Sequence, residues 1–268
     1  MSTSTKGIAV VTGASAGIGA IYADRLARRG YDLILVARNE TRLNEVAKRI
    51  IEATGRAVEV VAADLNSKAD LKRLETLLRT DAGITMLVNN AGVGALKPLL
   101  ESDADAMGDM IDLNVTALTR LTYAVVPAFV GRGSGTIINI SSAVAIAPEI
   151  LNGVYGGTKA FVLAFSLSLY KELAEKNVRI QAVLPGAIAT NFWDVAGGSV
   201  EALPSKMVMQ SHDLVDAALA GFDQGELVTI PSLPDAADWN AYEAARQRIV
   251  PNLSLSALPA RYRIAPAA

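Results

Sequence analysis

Seven short runs of almost unbroken apolar residues recur along the chain: Gly7–Thr12, Tyr31–Ala37, Ala57–Ala63, Ile84–Asn89, Thr136–Ser141, Val178–Leu184 and Glu226–Ile230. A strand with one wet face alternates polar and apolar residues. A run that is apolar at successive positions is buried on both faces, which requires helices above and below the sheet. The stretches between the runs supply them. Residues 17–29 place Ile18, Ile21, Tyr22, Arg25 and Leu26 at helical spacing, and 39–53, 67–80, roughly 103–127 and 153–177 also read as helices. Strand and helix in alternation predict an α/β fold, a doubly wound parallel sheet of about seven strands of Rossmann type. No linker interrupts residues 1–250, so we expect a single domain there and an Ala- and Pro-rich tail over 251–268.

Composition removes several kinds of chemistry. There are no cysteines, so disulfides and thiolate nucleophiles or ligands are excluded. A single histidine, His212, excludes a multi-histidine metal site. With 25 basic and 27 acidic residues the net charge is −2, which offers no excess cation to neutralise nucleic-acid phosphates. No run of about 20 consecutive apolar residues suggests a membrane span, and a cytoplasmic protein is the expectation.

The first run ends in Thr12-Gly13-Ala14-Ser15-Ala16-Gly17-Ile18-Gly19 and passes directly into a helix. Glycines allow a tight turn and close approach of backbone N–H groups, and the helix N-terminus favours an anion. After the first strand of a βαβ unit, Gly13, Ser15, Gly17, Ile18 and Gly19 are therefore expected to hold a pyrophosphate. Gly13-Ala14-Ser15-Ala16-Gly17 also fits the G-x-S-x-G elbow of a serine hydrolase. Two features count against it. Nothing precedes the first strand to build an oxyanion hole, and the one available base, His212, lies in the polar segment Ser211-His212-Asp213. After the second strand, NAD sites of this fold carry an acid for the ribose 2′-hydroxyl. Here Ala37 precedes Arg38, which could pair with a 2′-phosphate, so NADP is expected rather than NAD.

Four further features stand in order: Asn89-Asn90-Ala91-Gly92 after the fourth run, Ser141-Ser142 after the fifth, Tyr155 thirteen residues beyond Ser142, and Lys159 four beyond that. With the glycine turn, this set resembles the short-chain dehydrogenase/reductase family over about residues 7–190. The resemblance implies a hydride transfer between a nicotinamide and a carbonyl or secondary alcohol. It implies Tyr155 as general acid/base, Lys159 on the nicotinamide ribose and lowering the tyrosine pKa, Ser142 on the substrate oxygen, and Asn114 organising a water near the lysine. Asp64 and Leu65 resemble the adenine-binding pair, and Asn90, Ala91 and Gly92 would flank the cofactor. Pro185, Gly186, Ile188 and Thr190 resemble the lining of the nicotinamide pocket. Family members that prefer NADP often have a basic residue just before the second glycine, where this chain has Ala16. Helical spacing of Tyr155 and Lys159 suits a shared face, and an ammonium near a phenol would pull its pKa down.

Residues 190–210 carry Phe192, Trp193, Val195, Leu203, Met207, Val208 and Met209, with Gly197-Gly198 as a hinge. We read them as an apolar substrate lid, suited to a hydrophobic ketone or a 3-oxoacyl group, with Trp193 as a substrate contact. Asp235–Ile249 reads as an amphipathic helix for the body or a partner. The family resemblance implies a homodimer or homotetramer. A non-catalytic dinucleotide sensor is the other function class, against which the full Ser142, Tyr155 and Lys159 set argues.

Overall fold

The computed structural model describes residues 5–262. The chain divides into two compact units, Met1–Ser232 and Leu233–Ala268. In the first, strands β1 (Ile8–Thr12), β2 (Asp32–Ala37), β3 (Val58–Ala62), β4 (Ile84–Asn89), β5 (Gly135–Ile140) and β6 (Val178–Val183) alternate with helices. The helices are α1 (Gly17–Arg28), α2 (Glu40–Thr54), α3 (Lys68–Thr80), α4 (Ala104–Ile111), α5 (Leu118–Gly131) and α6 (Gly153–Leu173). A short pair, β7 (Ala187–Ala189) and β8 (Val208–Gln210), flanks α7 (Phe192–Ala196); α8 (Ser211–Gln224) and β9 (Val228–Thr229) follow. The main sheet is all parallel, in the order β3-β2-β1-β4-β5-β6-β9. The expected doubly wound α/β fold is the one observed.

Successive strand residues serve opposite cores. Ala9, Val11, Leu33 and Leu35 join the core under α1, α2 and α8, with Tyr22, Leu26, Leu43, Leu214 and Leu219. Val10, Ile34 and Val36 join the other, under α3, α5 and α6, with Leu74, Leu78, Leu121, Val125 and Phe129. This is why the strands are apolar at most successive positions: the pleat sends neighbouring side chains to different faces and both faces are covered. Each such aliphatic side chain contributes about 1.5–3 kcal/mol by leaving water.

Three boundaries differ from the sequence expectation. The helical region from 104 runs past Pro127 to Gly131 and contains a π-helical turn over Asp112–Ala117. It is long and apolar enough to cross a membrane, but its apolar side belongs to the core, through Leu118, Leu121, Val125 and Phe129. The seventh strand is only two residues long. The β7–β8 pair has no counterpart in the sequence reading. Its register, Ala187↔Val208 to Ala189↔Gln210, brings together the two ends of the segment between them.

In the second unit, helix α9 (Ala236–Ile249) is capped by Asp235, whose Oδ1 accepts from the Ala237 N–H at 2.8 Å. Trp239 and Tyr242 stack on one another, but no residue of α9 is buried, so the expected amphipathic face is not expressed in burial. The stretch from Val250 contains only short 3₁₀ turns among its described residues; positions 263–268 of the expected tail lie outside them.

Candidate functional site

Strand order reverses between β1 and β4, where a crevice opens beyond the strand C-termini because the crossover helices leave to opposite faces. The expected residues converge on this edge. Gly13 and Gly17 take φ of +68° and +53°, which L side chains rarely adopt. A Cβ on Gly19 would overlap the carbonyl oxygen of Gly13 and the Asn90 amide. The turn is tied to β4 from both sides. Asn90 Nδ2 donates to the Thr12 carbonyl at 2.8 Å and to that of Gly13 at 3.3 Å, while Thr12 Oγ1 accepts the N–H groups of Asn90 and Ala91, each at 3.0 Å. Asn90 thus braces the glycine turn. Thr12, absent from the expected set, is its counterpart, recognisable in the sequence only as the residue preceding Gly13.

Helices α2, α3, α4, α6 and α9 each begin with a capping side chain; α1 does not. Its N-cap is Ala16, with no acid in the first turn. Its leading N–H groups therefore have no side-chain acceptor, which suits a phosphate. The Ile18 side chain packs against the core, leaving its backbone to face such a group. Ser15 is half-buried, and Arg38 is exposed at the end of β2. Asp64 Oδ1 accepts the Asn66 N–H at 3.0 Å and Leu65 is in the core. Thr190 reaches this end: its Cγ2 lies 3.3 Å from where a Cβ on Gly17 would sit. These residues fit a dinucleotide, with glycine backbone for the pyrophosphate and Arg38 at the β2 terminus for a 2′-phosphate.

The remaining candidates gather at the ends of β4 and β5 and the start of α6. Asn152, unforeseen, caps α6 by accepting from the N–H groups of Val154 at 2.9 Å and Tyr155 at 3.3 Å. Its amide donates to the Lys97 carbonyl at 2.7 Å, so it orients the helix carrying Tyr155 against the loop after β4. An asparagine just before a helical stretch is the signal that could have revealed it. Asn114, in the π-helical turn, donates to the Val93 carbonyl at 2.8 Å and to Thr158 Oγ1 at 3.1 Å, and accepts the Val93 N–H at 3.0 Å. A Cβ on Gly92 would lie 3.0 Å from Asn114 Oδ1 and 3.4 Å from Lys159 Nζ, so both side chains approach this glycine closely.

Tyr155 and Lys159 are both buried on α6. Lys159 Nζ donates to the Ile140 carbonyl at 3.0 Å and lies 5.9 Å from the Tyr155 ring centroid. The Ser141 hydroxyl donates to the Lys159 carbonyl at 2.7 Å, and Ser142 Oγ lies 3.4 Å from the Pro185 carbonyl. Burial pushes the Tyr155 phenol up to about 12, opposed by the Ser142 hydroxyl, and pushes the Lys159 ammonium down to about 8. The expected lowering of the tyrosine by the lysine charge has no counterpart here: desolvation sets the direction, with the Ser142 hydrogen bond as the opposing cause.

The lid is built differently from the expectation. Trp193 points into the protein and donates from Nε1 to the Ile188 carbonyl at 2.9 Å, while Phe192 lies against Tyr155, ring centroids 5.7 Å apart. Trp193 is therefore an anchor and Phe192 the ring facing the site. Ile188 contributes its carbonyl here and its side chain to the core, and Pro185 and Gly186 follow β6 beside Ser142. Gly197, at φ +90°, ends α7. The hydrolase alternative finds no support, since His212 is exposed on α8 and paired with Asp213 at 3.4 Å.

The short chain dehydrogenase family model matches residues 7–197. A short-chain dehydrogenase from Sphingobium yanoikuyae, in complex with NADPH, superposes with a TM-score of 0.92 at 48% identity, over 96% of this chain and 100% of that one. The bulky-bulky ketone specific alcohol dehydrogenase from Comamonas testosteroni gives a TM-score of 0.89 at 43% identity, over 97% and 99%. A very-long-chain 3-oxoacyl-CoA reductase from Danio rerio is 38% identical over 186 residues, 68% of this chain and 60% of that protein. With the glycine turn, Asn90, Ser142, Tyr155 and Lys159 assembled at one sheet edge and the family model covering most of the chain, this protein is an oxidoreductase of the short-chain dehydrogenase family.

Proposed function

We propose that the protein reduces a hydrophobic ketone with NADPH. The observation that carries this reading is the buried Tyr155 phenol beside Ser142, held up to about 12. Such a phenol keeps its proton throughout the neutral range, so the acid form is present, and transfer to the more basic alkoxide oxygen that hydride addition creates is downhill. A bound NADPH supplies the hydride. Ser142 Oγ donates a hydrogen bond to the carbonyl oxygen, and Tyr155 Oη delivers its proton to that oxygen as it becomes an alcohol. Lys159 remains an ammonium at neutral pH and can serve both the phenol and a ribose hydroxyl with the N–H groups that Ile140 does not take. Asn114 holds the loop after β4 in place beside it. The NADPH-bound relative and the exposed Arg38 support the choice of cofactor. The ketone-specific relative and the apolar packing of Val144, Met110 and Phe192 around Tyr155 support the substrate class.

The test is a paired fluorescence titration with NADPH and NADH, followed by ketone reduction by wild type and Tyr155→Phe. The variant should bind NADPH as wild type does and lose about 100- to 10,000-fold in kcat. Equal turnover by the variant would remove Tyr155 from the chemistry. Binding of NADPH without turnover of any ketone by wild type would favour a dinucleotide sensor. Because Lys159 loses its proton as pH rises through about 8, reduction should be flat through neutrality and decline above that point. A pH profile of kcat/KM that stays level to pH 10 would remove the ammonium from the mechanism.

A further inference from the structure

The loop after β4 and the segment carrying α7 hold each other by a reciprocal device. The Phe192 ring sits on Gly94, where a Cβ would overlap Cζ of the phenyl ring, and the Leu96 side chain sits on Gly198, where a Cβ would overlap Cδ1 of the leucine. Between the two seats the Leu96 N–H donates to the Ala196 carbonyl at 3.2 Å. Trp193 meets Phe192 edge-on, with ring planes at 89° and centroids 5.7 Å apart, and is itself fixed by its bond to the Ile188 carbonyl. The phenyl ring is thus supported by a glycine on one side and an indole on another, and it is tilted 44° to the Tyr155 ring.

We propose that Phe192, seated on Gly94, determines the specificity of this site and selects ketones whose larger substituent is an aromatic ring. The proposal rests on the reading of Tyr155 and Ser142 as the pair that receives the carbonyl. A carbonyl on those two hydroxyls brings one substituent against Phe192, the aromatic ring in contact with Tyr155. An aryl group there gains an edge-to-face or offset contact with a ring already fixed in orientation. A cyclohexyl group of the same carbon count is thicker and lacks the matching quadrupole. Gly94 sets how far the phenyl ring stands from Tyr155. At that position an added methyl meets the free end of a side chain, so the ring gives way and the backbone stays.

The experiment measures kcat/KM for NADPH-dependent reduction of paired ketones that differ only in phenyl against cyclohexyl, starting with acetophenone and cyclohexyl methyl ketone. Wild type, Phe192→Leu and Gly94→Ala are compared, with NADPH affinity and melting temperature measured for each. Wild type should favour the aryl member by about two- to twelve-fold. Both variants should bring the ratio close to one, with NADPH affinity within about twofold of wild type, as expected for packing that cofactor binding does not use. If Phe192→Leu melts too low to assay, Gly94→Ala carries the test, because its methyl displaces only the ring. An unchanged ratio in variants that still turn over would overturn this proposal alone. Wild type that binds NADPH and reduces no ketone would overturn the reduction reading and this proposal with it.

Discussion

The glycine turn at residues 12–19 and the lid segment at 190–198 lie on the same edge of the fold, and both are built around glycines, but in opposite ways. In the turn, the glycines are there for backbone. Gly13 and Gly17 adopt positive φ, Gly19 packs on the Gly13 carbonyl, and Thr12 and Asn90 tie main chain to main chain. Where the segment meets the loop after β4, Gly94 of the loop and Gly198 of the segment are there for side chains, each receiving one from the other stretch, Phe192 and Leu96 respectively. A methyl added to Gly19 meets the Gly13 carbonyl, which cannot move, and one added to Gly13 or Gly17 strains a positive φ. A methyl added to Gly94 or Gly198 meets the tip of a phenyl or a leucine, which can move. The same substitution should therefore disable one region and only retune the other.

The largest effect should come from Gly19→Ala. Its methyl collides with backbone, costing about 3 kcal/mol of stability and at least about tenfold in NADPH affinity. Denaturant melts and fluorescence titration would measure both, and a variant as stable as Gly94→Ala would break the distinction. Next, Arg38→Ala should reduce the preference for NADPH over NADH by about tenfold while leaving ketone selectivity alone; an exposed guanidinium earns less than a buried one. Unchanged discrimination would move the 2′-phosphate contact elsewhere. Trp193→Phe removes the bond to the Ile188 carbonyl and should cost about 1–2 kcal/mol, with kcat/KM for ketones falling several-fold and NADPH affinity unchanged. Equal loss of both would mean the anchor serves the cofactor end as well. The smallest effect is expected at Gly157, exposed within α6 with nothing near where a Cβ would stand. Gly157→Ala should stabilise by about 0.5–1 kcal/mol through helix propensity, visible as a higher melting temperature with activity retained. Destabilisation there would show that space around a glycine does not decide the outcome.

Much of the site could be read from the chain because its signals are local. Gly13, Gly17 and Gly19 report a turn within one strand–helix junction, and Tyr155 and Lys159 share a helix face by spacing alone. The helix caps Asn39, Ser67 and Asn152 carry the same kind of local signal, each standing just before a helix, though Asn152 was not foreseen. What escaped reading involves partners far apart in the sequence. Thr12 acquires its role from residues nearly eighty positions away, and Phe192 from one almost a hundred positions earlier. Trp193, the larger ring, was the natural choice for the substrate contact. Its indole N–H needs an acceptor when buried, and the Ile188 carbonyl supplied one on the inner side, turning Phe192 outward to the site. The β7–β8 strands were too short for any periodicity to register.

The sequence by itself determined the architecture. Strands apolar at nearly every successive position are satisfied by helices on both faces, and a glycine turn after the first of them marks where an anion can sit. Tertiary structure alone decided the electrostatics of the two buried polar groups on α6. Tyr155 rises to about 12 and Lys159 falls to about 8 because both are desolvated between the β4 loop, β5 and α7, an outcome that depends on burial and not on their spacing of four. It also decided which aromatic ring lies against the Tyr155 phenol, because that choice was settled by the space above Gly94, and a space left by a missing side chain is defined only once the segment opposite has been folded against it.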